Sequence, residues 1–375
     1  MYLSYWEKQH FFNKSDLVVI GSGIVGLNAA ISFKLKFPSK KVTVLERGIL
    51  PSGASTKNAG FACIGSVSEL SDDLTKMSEQ NVWETVSFRY AGLKKLRSLV
   101  GDENMDYQHL GGYEVFDSKE SFEVNAEKIE AYNFLLKPIT GLNETFKINH
   151  AKIEDSGMKG FRYCIENLAE GQINTGLMMR KLLDFAYRLD ILIFNHIEVS
   201  SINDTNNEVE INCKNNLILK SDKVIVATNG FAKELLNIND VEPARAQVLI
   251  TKPISGLSLK GSFHYDSGYY YFRNIDDRIL FGGGRNLDFA GENTSKFGLS
   301  DLIQNQLDKL LSENIIPHQQ VEIDLRWSGI MGVGSEKKPI IQFISNNVVC
   351  AVRMGGMGVA IGSLVGEMAS SKLFN

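Results

Sequence analysis

Four hydrophobic positions in succession, Leu17, Val18, Val19 and Ile20, open the patterned part of the chain. A run without polar alternation predicts a strand covered on both faces. It breaks at "GSGIVG" (21–26), and "IVGLNAAISFKLKF" then takes helical spacing. A second apolar strand, "KVTVLE", spans 41–46. Residues 171–202 predict a turn, an amphipathic helix and a strand pair, followed by a polar hairpin region at 203–221. Two more strands end in small residues. Val224 to Ala227 runs into Thr228, Asn229 and Gly230, and "VVCAV" (348–352) runs into a glycine-dense turn and a helix. Between these lie "HLGGYEVFD", "RAQVLITKPI", "GYYYFRN" and "RILFGGGR", rich in β-branched and aromatic residues. "NIDDR" joins the last two as a hairpin turn. The charged run 119–130 predicts a solvated helix face.

Composition narrows the classes. The chain has 375 residues and a formal charge of −4, with no basic stripe that would suggest nucleic acid. Four separated cysteines and six scattered histidines form no zinc or disulfide spacing. No stretch approaches the roughly 18 apolar residues of a membrane span, and the first fifteen residues lack a signal-peptide pattern. The expectation is a cytoplasmic protein without nucleic-acid or membrane partners.

The first turn carries a recognisable chemistry. In "GSGIVG", Gly21 permits the tight turn, Gly23 lets the backbone approach a pyrophosphate, and Gly26 lets the helix pack close to the strand. Ser22, Ile24 and Val25 complete the motif, and the helix N-terminus offers its amides and dipole to phosphate. Glu46 ends the second strand twenty residues after Gly26, where a carboxylate can accept ribose hydroxyls. That acid disfavours NADP and leaves NAD and FAD open. The next segment, "RGILPSGASTKNAGFACIG" (47–65), is a loop of small residues able to reach further phosphate and ring atoms. Its candidates are Arg47, Gly53, Ala54, Ser55, Asn58, Ala59, Gly60 and Phe61. Val199, Ala227, Asn229 and Gly230 supply the middle of the chain, and Arg353, Gly355, Gly356, Met357, Gly358 and Val359 supply the end. Three strand-to-glycine junctions far apart in sequence suit a long, two-ended cofactor.

With these motifs in this order, the chain resembles the D-amino acid oxidase superfamily of FAD-dependent oxidoreductases. "SYWE" (4–7), "GASTKNAGF", "PARAQVLIT" (243–251), "YYYFRNIDDRILFGGGRN" and "GGMGVAIG" are similar to the glycine oxidase, sarcosine oxidase and gamma-glutamylputrescine oxidase group. The resemblance implies an α/β fold with a Rossmann-like FAD-binding domain and a second, mixed-β-sheet (α+β) substrate domain. The expected division is 1–85, 150–235 and 322–375 for FAD, with 86–149 and 236–321 for the substrate. It also implies oxidation of a C–N bond in an amine or amino acid, with hydride passing to flavin.

On "RILFGGGRN" the two-residue period places Phe281, Gly283 and Arg285 on one face, Arg285 as a site for an acidic group on the substrate. Tyr270 is the candidate on the partner strand, Arg273 reads as structural, and Gly329 lies in "RWSGIMGVG" (326–334). Two positions depart from the family pattern. Met331 stands where glycine oxidase-like members carry a carboxylate-binding arginine, so Arg285, Arg326 or Arg353 would have to substitute. Phe281 aligns with the lysine that activates oxygen in sarcosine oxidase-like members, which points to an acceptor other than oxygen. With no cysteine in 326–334 and no histidine in 55–60, the FAD is expected to be non-covalent. The alternatives are an NAD-dependent dehydrogenase and a flavin-binding protein without amine turnover.

Overall fold

The computed structural model describes residues 3–374. Two eight-stranded sheets organise it. In the first, the order is Ile340–Ser345, Val348–Val352, Ile218–Val226, Ser15–Ile20, Val42–Leu45 and Leu192–Phe194, with Val199–Asp204 and Val209–Cys213 extending Ile218–Val226 as a hairpin. The central strands run parallel. Leu192–Phe194 and Val199–Asp204, expected as a pair, pair instead with Val42–Leu45 and Val209–Cys213 respectively.

The unbroken apolar run at 17–20 is explained by cover on both sides. Leu17 and Val19 face a core built from helices Ile24–Lys36, Glu79–Val100, Thr175–Arg188 and Gly358–Phe374. Val18 and Ile20 face a second core with Val209, Ile211, Leu217 and Leu219. The first and last helices of this layer touch backbone to backbone: a Cβ on Gly366 would lie 2.5 Å from the Val25 carbonyl oxygen.

The second sheet has the order Ile323–Val333, Glu242–Thr251, Arg278–Gly283, Tyr270–Ile275, Ser262–Tyr265, Gly112–Phe116, Tyr163–Asn167 and Phe146–Ile148. It is mixed because Ser262–Tyr265 pairs parallel with Gly112–Phe116, the other pairs being antiparallel. Tyr163–Asn167 and Ile323–Val333, which the expected division assigned to the cofactor domain, are hydrogen-bonded into this sheet. Helix Glu79–Val100, largely assigned to the substrate domain, packs instead on the last helix, where a Cβ on Gly92 would lie 2.1 Å from Ala360 O. Boundaries drawn from the positions of the cofactor-binding motifs carry no information on these long-range pairings. The Asp276–Asp277 turn joins its two strands as expected, with Asp276 at φ 50°. The four cysteines are free and buried. Among the described residues, no helix is long and apolar enough to cross a membrane.

Candidate functional site

A cavity of about 1080 Å³ lies between the sheets. That is at or above the upper end of the ~300–1,000 Å³ range of ordinary small-molecule sites. Gly21 begins one end of it. Its N–H donates to Leu45 O at 2.8 Å, its φ is 102°, and a Cβ on Gly26 would meet its carbonyl oxygen at 1.8 Å. Gly26 therefore acts beneath the turn and not in the cavity wall. Across the turn, a Cβ on Gly23 would lie 2.8 Å from Ser55 Oγ, which also accepts the Ile24 N–H at 2.9 Å. The motif and the small-residue loop thus close on each other.

Glu46 is fixed by its neighbours. Oε2 accepts from Ser22 N at 3.2 Å and Ser22 Oγ at 2.7 Å, and Oε1 accepts from Gly48 N at 2.9 Å. Ser22 is therefore fully buried as a positioning residue and does not line the cavity, while Glu46 does. Arg47 lines it too, its guanidinium carbon 3.8 Å from the centre of the Phe231 ring. Asn58 staples its own loop: its amide donates to Ala54 O and Ser55 O, and its Oδ1 accepts from Gly60 N and Thr175 Oγ1. Asn229, at φ 45°, accepts the Met354 N–H at 3.1 Å, joining the middle junction to the last one.

Of the sequence-derived cofactor candidates, Gly21, Gly23, Ile24, Val25, Glu46, Arg47, Gly53, Ala54, Ser55, Asn58, Ala59, Gly60, Phe61, Val199, Ala227, Asn229, Gly329, Gly355, Gly356, Met357, Gly358 and Val359 all line this one cavity. Ser22, Gly26, Gly230 and Arg353 do not. Gly230 lies beneath Met331, whose carbonyl oxygen would be 2.3 Å from a Cβ placed there. Arg353, at φ 65°, is turned away: its Nε donates to Lys338 O at 2.8 Å and its Nη1 pairs with the Asp240 carboxylate. It clips loops together and has no place among the reacting groups.

The second sheet supplies the opposite wall: Gly283 lines it as expected, but Val248, Tyr271 and His264 present the other phase from the one expected. Val248, Gly282, Tyr271 and His264 stand in register across four strands, and Val248, Tyr271 and His264 line the cavity. Tyr270 and Phe281 belong to the buried apolar cluster on the reverse face with Phe263 and Phe272. Tyr270 is thus corrected from candidate to core, and Gly282, not Phe281, holds the inward strand position. The Tyr271 ring fills the space over it, 2.7 Å from where a Cβ of Gly282 would be. Burial pushes the Tyr271 phenol up to about 12. Arg273 is structural as expected: its Nη1 donates to Gly60 O and Ile173 O, both at 2.9 Å, and burial lowers its pKa to about 10.

Arg285 reaches the cavity, though not from a strand face. The strand stops at Gly283, Gly284 turns at φ 77°, and Arg285 starts a single 3₁₀ turn. Its Nε is buried without a hydrogen-bond partner, and burial lowers its pKa. The carboxylate exerting the largest opposing pull, Glu292, is already held by Arg245 and Gln247. Met331 also lines the cavity. Lys337, which sequence reading missed, lines it as well, but its Nζ is paired with Asp73 at 2.6 Å and Glu69 at 3.1 Å. Tyr271, His264 and Glu69 were missed too; each sits in ordinary-looking sequence, with no local signal to mark it.

The walls suit a flavin dinucleotide. One helix N-terminus meets the cavity at Gly23–Val25 and another at Gly358–Ala360, each offering first-turn amides without intrahelical acceptors. The profile of the DAO family, described as FAD dependent oxidoreductase, matches residues 16–372. The bifunctional protein ThiO/ThiG of Trichormus variabilis is 24% identical over 331 residues, 87% of this chain and 47% of its own length. The chain thus spans about half the length of that relative. In fold it is similar to L-proline dehydrogenase from P. horikoshii, with a TM-score of 0.78, 18% identity, and 97% and 94% of the two chains covered. Glycine oxidase from Geobacillus kaustophilus gives a TM-score of 0.74, 18% identity, and 96% and 94% coverage.

Proposed function

The chain belongs to the DAO family of FAD-dependent oxidoreductases, and on that premise we propose that it oxidises a C–N bond of an amine or amino acid with non-covalently held FAD. The observation that carries this reading is the single cavity lined by residues near 23, 58, 229 and 356 together with the inward face of the second sheet. In it, Glu46 would bind the adenosine ribose and the turn at Gly23 would admit the pyrophosphate. The Gly53–Phe61 loop and the Gly358 helix N-terminus would flank the ring. FAD supplies the hydride acceptor. The chain supplies orientation, a dry wall made by Val248 and Tyr271, and a field at the ring.

The 18%-identical folds include an oxidase and a dehydrogenase of amino acids, and they support the substrate class without naming the substrate. Arg285 is the proposed handle for a substrate carboxylate, since it lines the cavity and its Nε has no hydrogen-bond partner. Met331 cannot serve that purpose. An acceptor other than oxygen is favoured by the inward strand position being Gly282 and by Lys337 being engaged with two carboxylates.

The test is an anaerobic screen of purified holoprotein against primary and secondary amines, amino acids and N-methyl amino acids, following absorbance near about 450 nm. Bleaching by at least one member is expected. A protein with no yellow chromophore, or one bleached by none of them, removes the reading. Yellow colour left in the pellet after trichloroacetic acid precipitation would overturn the non-covalent assignment.

A further inference from the structure

His264 is enclosed by carboxylates at the cavity wall. It lies on Ser262–Tyr265, with Tyr271 in register on one side and Glu114 on the other. The residue is 8% exposed, lines the cavity, and packs against the edge of Phe61 with ring centres 5.2 Å apart. Its Nε2 is buried without a hydrogen-bond partner and sits 3.7 Å from Glu170 Oε2. Glu170 cannot swing away. Its Oε1 accepts from Ile64 N at 2.8 Å and Gly65 N at 3.0 Å, and Gly112 leaves the space its other oxygen occupies, 2.0 Å from a Cβ built there.

The remaining charged neighbours are engaged elsewhere. Glu114 accepts from Ser66 Oγ, Ser68 Oγ and Ser68 N. Glu69 is paired with Arg89 at 3.3 Å and with Lys337, and the Arg89 Nη1 also donates to Ile64 O. Cys63 and Tyr271 stay neutral, since burial pushes both upward. His264 is thus a largely buried imidazole with one fixed, uncommitted carboxylate oxygen behind it and the cavity before it.

We propose that His264, held and polarised by Glu170, accepts a proton from the ammonium form of the bound substrate. The proposal rests on the amine-oxidation reading. In the step, one N–H bond of the ammonium breaks, its electron pair remains on nitrogen, and a new N–H bond forms on the imidazole. Glu170 then balances the imidazolium, and no electrons are lost or gained. The freed lone pair is what an adjacent C–H bond needs if hydride is to leave. The environment tunes the base in the useful direction. Burial opposes protonation, yet Glu170, Glu69 and Glu114 outweigh it, and the pKa lies above the ordinary 6.5. A base near the working pH is the most effective one.

Anaerobic stopped-flow reduction of the holoenzyme by an active amine, read from pH 6 to 10, tests this. Wild type should show an ionisation above 6.5 in the reduction rate. His264→Asn should lose it, with a rate reduced at least ten-fold near neutral pH and restored at high pH, where the amine arrives already neutral. Glu170→Gln keeps an oxygen for Ile64 and Gly65 and should move the ionisation down. A second readout does not depend on turnover: in histidine-labelled protein, the ring resonance missing from His264→Asn should titrate above 6.5 in wild type and lower in Glu170→Gln. A His264→Asn rate profile that matches wild type overturns the proposal. So does a ring that titrates identically with and without the Glu170 carboxylate. If no amine reduces wild type, the amine reading fails instead, and the ring titration still reports on the pair.

Discussion

Trp327 donates its indole N–H to the Lys57 carbonyl oxygen at 3.0 Å. This bond ties the Ile323–Val333 strand of the second sheet to the loop that closes over the first turn. Gly329, two residues on, leaves a Cβ-sized gap 3.2 Å from Lys57 Cβ, so the loop lies flat on the strand. Trp327→Phe keeps the ring and removes the bond. Such a hydrogen bond contributes about 1 kcal/mol, so the Kd for FAD should rise roughly five-fold with the far-ultraviolet spectrum unchanged. Titration of apoprotein with FAD, followed by fluorescence quenching, measures it.

Gly23 and Gly26 should fail in different ways. A Cβ at Gly23 would press on Ser55 Oγ at 2.8 Å in the cavity wall, whereas at Gly26 it would press on the Gly21 backbone at 1.8 Å. Gly23→Val should fold and purify colourless, while Gly26→Val should lose folded protein, since a clash with backbone has nowhere to relax. A yellow, fully loaded Gly23→Val protein would contradict the reading of the first turn.

Arg285→Met tests the carboxylate handle. A charge-assisted hydrogen bond is worth about 1.5–3 kcal/mol, so KM for an amino acid substrate should rise roughly ten- to hundred-fold. An amine without a carboxylate should be little affected. Equal losses for both kinds of substrate would assign Arg285 a merely structural part.

Acid stability should report on Glu69. Burial would raise its pKa, but Arg89 and Lys337 outweigh burial and hold it at about 2, below the usual 4.5. A lowered carboxyl stabilises the fold fully above its unfolded pKa, and that contribution is lost as pH falls toward the folded value. Glu69→Gln should therefore have a lower Tm than wild type at pH 7, with the gap closing as pH drops through about 4.5 toward 2. A gap of constant size across that range would refute the assignment.

The first sheet is legible in the sequence because its strands follow a strong local rule: an unbroken apolar run ending in glycine marks a strand buried on both faces that stops at a close backbone approach. The Gly21–Gly26 turn, Glu46 and the Asn58 loop follow from chemistry that is local in sequence. The second sheet is legible as strands but not as faces. In "YYYFR" both phases are apolar or aromatic, because one side meets the cavity and the other meets Phe263 and Phe281. Alternation has no polar side to reveal, so it selects Tyr270 where Tyr271 points inward. The same alternation gives Arg285 a strand phase, yet Gly284 ends the strand before it. Arg353 stands amid the glycines of the last junction, but its positive φ swings its side chain toward Asp240. His264 acquires its neighbours from the loop at Glu170, the strand at Glu114 and the helix at Glu69, and no window of sequence contains that encounter.

The packing of helix Gly358–Phe374 against helix Ile24–Lys36 has a consequence for biosynthesis. The phosphate turn emerges from the ribosome long before the helix that packs beside it and completes the cavity wall. A nascent chain therefore carries a half-built cradle until that last helix has been made. A chain truncated before Gly358 is therefore expected to retain no flavin.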